Sequence, residues 1–177
     1  GHYYTGAVTS DPWTSVAYTS SDGTASGTLS VTTGATAAEV AGRAFIVHGY
    51  DGGRIACALL GEGATLSATD FVRYPGSSSA LAVAGTVSQM VTVGTTQTFD
   101  YSFTGLDTDC ASGAGTAANS CGVHVHTGTT CSDASLVSCC SPLRCPCLPP
   151  AHALSRYAAG LNAAPCTCAR RWAATTT

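Results

Sequence analysis

Gly122-Val123-His124-Val125-His126 alternates valine and histidine without a break, the period of a β-strand. On a strand His124 and His126 point the same way, roughly 6.5–7 Å apart at the backbone, while Val123 and Val125 face the opposite side. Two ring nitrogens can then converge on one metal ion, and imidazole suits copper and zinc. By itself such a pair can also be an ordinary half-buried polar pair on a strand. Working outward, the same character recurs in Ala25–Thr33, Val40–His48, Arg54–Leu60, Val83–Val93 and Gln97–Thr104. These are short β-branched or aromatic runs, separated by turn residues such as Asp51-Gly52-Gly53 and Gly94-Thr95-Thr96. The spacing predicts an all-β sandwich or barrel.

Composition narrows the alternatives. Ala, Gly, Ser and Thr supply more than half of the 177 residues, only 10% are charged, and lysine is absent. Strong helix-forming charged residues are too rare for a coiled coil. Seven arginines against ten acids make no basic surface that could neutralise phosphates, which argues against nucleic acid as a partner. No run of about eighteen apolar residues exists, so no transmembrane segment is expected. Nor does a basic stretch followed by an apolar one open the chain, so any signal peptide is expected to be missing from it.

Charge and cysteine divide the chain near residue 138. Residues 1–138 set three arginines against all ten acids, a balance of −7; residues 139–177 carry four arginines and no acid, +4. Six of the ten cysteines fall in the second part. Cysteine this frequent, without zinc-finger spacing, points to an oxidising compartment, extracellular or at the cell surface, with a cytosolic metal-cluster protein as the alternative. Residues 61–81 contain Pro75-Gly76 and three consecutive serines and read as a linker between two β halves, 1–60 and 82–137. Ser138–Pro150 holds four cysteines and four prolines and cannot pair as a central strand, and Ala151–Ala164 could form a short helix. The tail reads as a disulfide-stapled cap, a disordered extension, or a translation in another frame. His152 stands alone in it. Trp13, with Tyr3, Tyr4 and Tyr18, is expected to pack in the core or at a barrel end. Thr and Ser are abundant enough for O-linked glycans on exposed strands, and no Asn-x-Ser/Thr acceptor exists.

Two separated motifs carry a resemblance. Cys121–Cys131 (CGVHVHTGTTC) resembles the first copper-ligand strand of copper/zinc superoxide dismutases and of their copper-only, SOD-like repeat relatives. Gly42–His48 (GRAFIVH), followed by Asp51–Cys57 (DGGRIAC), resembles that family's closing segment, and Gly1-His2-Tyr3-Tyr4 resembles its Gly-His-Tyr motif. The likeness covers about residues 1–60 and 82–137 and none of the tail. It implies a Greek-key SOD-like barrel of about eight strands, with His2, His48, His124 and His126 as copper ligands. It implies that Arg54 is the cation that attracts superoxide, and that Cys57 and Cys131 form the disulfide tying the ligand loop to the barrel. Cys110 and Cys121 are left over and could close a small hairpin. Four neutral imidazoles can hold copper in both oxidation states, and one guanidinium can focus a small anion on an acidic domain.

The chain departs from the family in three ways. Where the zinc loop should supply two histidines and an aspartate, Thr5–Tyr18 offers only Asp11, so zinc is not expected. The loop between His48 and Arg54 is only Gly49–Gly53. The motifs that close the family's barrel come first here, and the strand that begins its ligand set comes last. Either the barrel is circularly permuted, with residues 61–81 joining the old termini, or residues 1–60 of one chain complete residues 82–137 of a neighbour. The second arrangement is a head-to-tail homopolymer of copies of the chain; a chain starting at Gly1-His2, inside the ligand set, is expected of a repeat boundary. Two functions remain. One is an extracellular structural subunit of a fibre or surface layer, glycosylated, with copper binding retained or vestigial. The other is a copper-only superoxide dismutase. The ligands favour chemistry, and the reversed order and reduced loops favour assembly, which is placed slightly ahead.

Overall fold

The computed structural model describes residues 1–61 and 66–137. The three readings of the tail, the helix expected over Ala151–Ala164 and the lone His152 lie outside the described residues. Eight strands form among the described residues: β1 Ala25–Thr32, β2 Ala44–His48, β3 Arg54–Leu59, β4 Val72–Arg73, β5 Ala84–Val87, β6 Val91–Val93, β7 Thr96–Thr104 and β8 Val123–Val125. They make two four-stranded antiparallel sheets rather than a closed barrel. One runs β1-β7-β5, with β6 also on β7; the other runs β4-β3-β2-β8. Helix is confined to α1 Ala37–Val40, α2 Ala134–Val137 and a 3-10 turn over Thr108–Ser112. Among the described residues no helix is long and apolar enough to cross a membrane.

Alternation sets what each strand buries. Along β7, Gln97, Phe99, Tyr101 and Phe103 face the other sheet, while Thr98, Asp100, Ser102 and Thr104 face outward. Phe45 of β2 meets this layer edge-on, with ring centroids 5.4 Å from Phe99, and Phe71 lies 5.2 Å from Phe103. Such pairs add about 0.5–1.5 kcal/mol each beyond the area they bury. Gln97 is buried among apolar groups with both ends of its amide satisfied. It donates to the Ala35 carbonyl at 2.7 Å and accepts from the Thr33 hydroxyl.

The two sequence halves pair with each other inside one chain, and they do so in both sheets. β1 aligns with β7 from Ala25↔Phe103 to Thr32↔Thr96. β2 aligns with β8 from Phe45↔Val125 to Val47↔Val123. Three local features differ from the strand-by-strand expectation. Val40, expected to open the Val40–His48 strand, instead ends α1, where Glu39 Oε2 accepts the Thr36 N–H at 2.8 Å as in a capping box, and the strand begins at Ala44. The run expected over Val83–Val93 divides into β5 and β6. One extra residue between Val87 and Val91 shifts the register on β7 there, and Ser88 turns its hydroxyl to the Asp100 N–H. Residues 66–81 do not merely connect. β4 extends the β3 edge, Ala68 pairs with Val87 of the other sheet, and Leu66, Ala68 and Tyr74 are buried.

Candidate metal centre

The site stands on the outer face of the β4-β3-β2-β8 sheet, opposite the main core. Val123 and Val125 point into that core, so His124 and His126, one residue out of phase, point away from it. β2 lies alongside, and alternation puts His48 on the same outer face as Ala44 and Ile46, with its N–H bonded to the Gly122 carbonyl at 2.8 Å. The register shift opposite Val47 and His48 leaves Ile55 of β3 unpaired and sets Arg54 across from His48. The N-terminal residues supply the fourth ring. The Tyr3 N–H donates to the Val125 carbonyl and the Thr127 N–H to the Gly1 carbonyl, so the chain start runs as an extra short strand on β8 with His2 bridged to His126. The potential ligand atoms of His2, His48, His124 and His126 all lie within 4.8 Å of one another.

Glycine makes room for this convergence at two places. A side chain at Gly122 would bring its Cβ to 2.3 Å from His124 Cε1. At Gly52, where φ is +78°, a Cβ would stand 2.1 Å from the Ala118 carbonyl oxygen. The tight loop that Gly52 permits places its own carbonyl against His48.

Hydrogen bonds decide which nitrogen each ring offers. His48 Nδ1 faces the Gly52 carbonyl at 2.9 Å and His124 Nε2 faces the Val16 carbonyl at 3.2 Å. Carbonyl oxygens only accept, so those nitrogens carry the protons, and His48 Nε2 and His124 Nδ1 keep their lone pairs. His2 Nδ1 donates to Asp11 Oδ2 at 2.7 Å, leaving Nε2. His48 Nε2, His124 Nδ1 and both nitrogens of His126 are buried with no hydrogen-bond partner in the structure. An unsatisfied buried polar atom costs about 1–3 kcal/mol, which coordination to a metal would offset.

Electrostatics point the same way. Burial holds the imidazoles of His48 and His124 neutral far below their usual range, down to about 4 and about 2, and depresses His126 further. His2 is also lowered, by burial first, against the opposing pull of Asp11. At neutral pH all four are therefore uncharged, the form that binds metals. Arg54, at the start of β3, is the cross-strand partner of His48, and its charge disfavours protonation of His2, His48 and His126.

The disulfides frame this arrangement. Cys57 of β3 pairs with Cys131, beyond the ligand strand, and Cys110 of the 3-10 turn pairs with Cys121, three residues before His124. Loops of 74 and 11 residues closed in this way contribute on the order of 3–5 kcal/mol each.

Several positioning groups escaped the sequence reading. Asp11 entered it only as a residue of a depleted zinc loop. In the structure its second oxygen accepts the Trp13 N–H at 3.0 Å, which braces the carboxylate that orients His2. Trp13, fully buried, sets its ring edge-on to His124 at 6.2 Å and donates Nε1–H to the Tyr3 carbonyl. The Tyr18 hydroxyl donates to the His48 carbonyl at 2.8 Å. A carboxylate or ring within the first twenty residues could have been suspected; the carbonyls of Val16 and Gly52 carry no side-chain signature at all.

Fold and site together define a two-sheet β protein with a four-histidine group, His48, His124 and His126 buried and His2 half-buried, able to hold a metal ion. No protein-family model, curated protein or solved structure matches the chain.

Proposed function

We propose that the chain is a copper-only superoxide dismutase of SOD-like fold, holding one copper ion on His2, His48, His124 and His126. The observation that carries this reading is the convergence of four imidazoles inside a single chain, their potential ligand atoms all within 4.8 Å of one another and those of His48, His124 and His126 buried without a hydrogen-bond partner. Bound copper would supply one-electron chemistry: one superoxide gives up an electron to become dioxygen, and a second takes that electron and two protons to become hydrogen peroxide. The protein's part is to hold four donors that suit both oxidation states of copper and to set Arg54 beside them as an anion-attracting charge. Asp11 supports a mononuclear site, because its carboxylate already holds the His2 nitrogen that a second metal would need. The two disulfides support an extracellular setting.

His124→Ala and His48→Ala should each abolish tight copper binding in a metal titration; parent-like binding by both variants would overturn the site. If the copper-loaded protein consumes superoxide no faster than the metal-free protein, the dismutase reading is overturned.

A second reading, a glycosylated structural subunit of a head-to-tail fibre or surface layer, is favoured by one observation. β1 is an eight-residue edge of an open sheet, and open edges pair readily with other chains. The pairing of both halves within one chain accounts for the reversed motif order without a neighbour, so the assembly reading takes second place. A monomer near 17.7 kDa in native mass measurement would reject it.

A further inference from the structure

We infer that Tyr74 is a positioning residue for Arg54, the cross-strand neighbour of His48, its hydroxyl holding the guanidinium available to an incoming small anion. The inference rests on the copper reading above and deepens it. Arginine carries a long, flexible stem, and a guanidinium useful for anion capture needs an anchor. Arg54 Nη1 donates to Tyr74 Oη at 3.1 Å, and Tyr74 Oη donates onward to the Ala134 carbonyl at 3.4 Å. The hydroxyl is thus used in both directions.

The tyrosine is itself well fixed. Its ring is buried with Ala44, Ile46, Cys57 and Val137 on the outer face of the sheet, and Cys131 and Ala134 pack against that cluster. Its backbone N–H donates to the Ile55 carbonyl at 3.0 Å, one residue from Arg54. Tyr74 is therefore referenced to β3 by both its backbone and its side chain, and through Cys57–Cys131 to the loop beyond the ligand strand.

The surroundings explain why an anchor is needed. Arg54 and Tyr74 line a cleft of about 370 Å³ together with Asp51, Asp107, Ser77 and Ser78. Two carboxylates in the same cleft offer an unanchored guanidinium rival partners, and pairing with either would cancel the charge meant for the substrate. The Tyr74 hydroxyl gives Arg54 a neutral acceptor, so it stays fixed and keeps its positive charge available.

Tyr74→Phe removes the hydroxyl and keeps the ring in its apolar cluster. With the full chain loaded with Cu(II), azide titrated against its absorption band serves as the anion probe. Loss of one hydrogen bond to a charged group should weaken azide binding by about tenfold, with the azide-free copper EPR spectrum unchanged. In an Arg54→Ala background Tyr74→Phe should weaken azide no further, because the tyrosine acts through the arginine. Unchanged azide affinity, or the same loss in both backgrounds, would overturn the inference. In the metal-free protein, Tyr74→Phe should speed rotation of the Arg54 guanidinium in side-chain ¹⁵N NMR, and an unaltered rate would likewise overturn it. That last measurement needs no copper. A parent that binds no metal or consumes no superoxide therefore removes the functional reading alone, while an unresponsive Arg54 removes the inference alone.

Discussion

The two sheets are built from the same vocabulary of short β-branched runs and bury themselves differently. In the β1-β7-β5 sheet one face is core and the other is solvent. Ser26, Thr28, Ser30 and Thr32 lie exposed opposite Ser102, Asp100, Thr98 and Thr96, and hydroxyl pairs cross between the strands. In the other sheet every residue of β2 and β8 is buried. Its outer face is closed by the N-terminal eighteen residues, by Tyr74 and by the Cys131–Val137 stretch. A metal centre needs side chains held on both sides, with water excluded and outer hydrogen bonds fixing each ring. Only the doubly covered sheet provides that, and there the four histidines converge.

The largest consequence of this difference concerns acid. Above pH 6.5, the ordinary imidazole value, the buried histidines are neutral whether the chain is folded or unfolded, and they add no pH dependence. Below it the unfolded chain takes up protons that the folded site refuses. Stability therefore falls with pH by about 1.4 kcal/mol per unit for each such histidine. For His48 the loss continues down to about 4, and for His124 to about 2. The metal-free protein should lose stability steeply between pH 6.5 and 4 in denaturant titrations, and His124→Asn should make the dependence shallower. A stability that stays flat over that window would break the contrast between the sheets, since the other sheet holds no such groups among its described strands.

Glycine at position 122 tests the same contrast without touching a ligand. Gly122→Ala places a methyl group where the His124 ring now stands. The ring must move, and disturbance of a ligand's support reduces metal affinity by about 10–100-fold. Copper titration should show this loss while the β-sheet circular dichroism spectrum is retained. Parent-like affinity would mean that the ring position is not set by this close approach.

How much of this was legible depends on the range of the interactions. Strand positions follow from alternation, which is local, and β1, β3 and β7 end within one residue of the runs seen in the sequence. The converging histidines were visible because three motifs carried them. Thr36-x-x-Glu39 was a local signal for α1 that β-branched neighbours obscured. The division of β5 from β6 was not local, because the bulge is set by its partner strand. Tyr74 stood in a serine- and glycine-rich stretch that read as a linker, and its hydrogen bond to Arg54 spans 20 residues. The Val16 carbonyl reaches His124 across 108. Contacts at that distance, made partly by backbone, leave no periodic trace.

The smallest expected effect lies on the open face. Thr98 and Ser30 share a hydroxyl hydrogen bond of 2.9 Å across β7 and β1, in contact with solvent. Water can replace either partner, and valine keeps the branched Cβ that suits a strand. Thr98→Val should therefore change stability by no more than about 0.5 kcal/mol in chemical denaturation, and should leave copper affinity untouched. A larger loss would show that the hydroxyl rows are structural, as the buried Thr33–Gln97 pair is. The two sheets would then differ in what they bury but not in how strictly each outer face is specified.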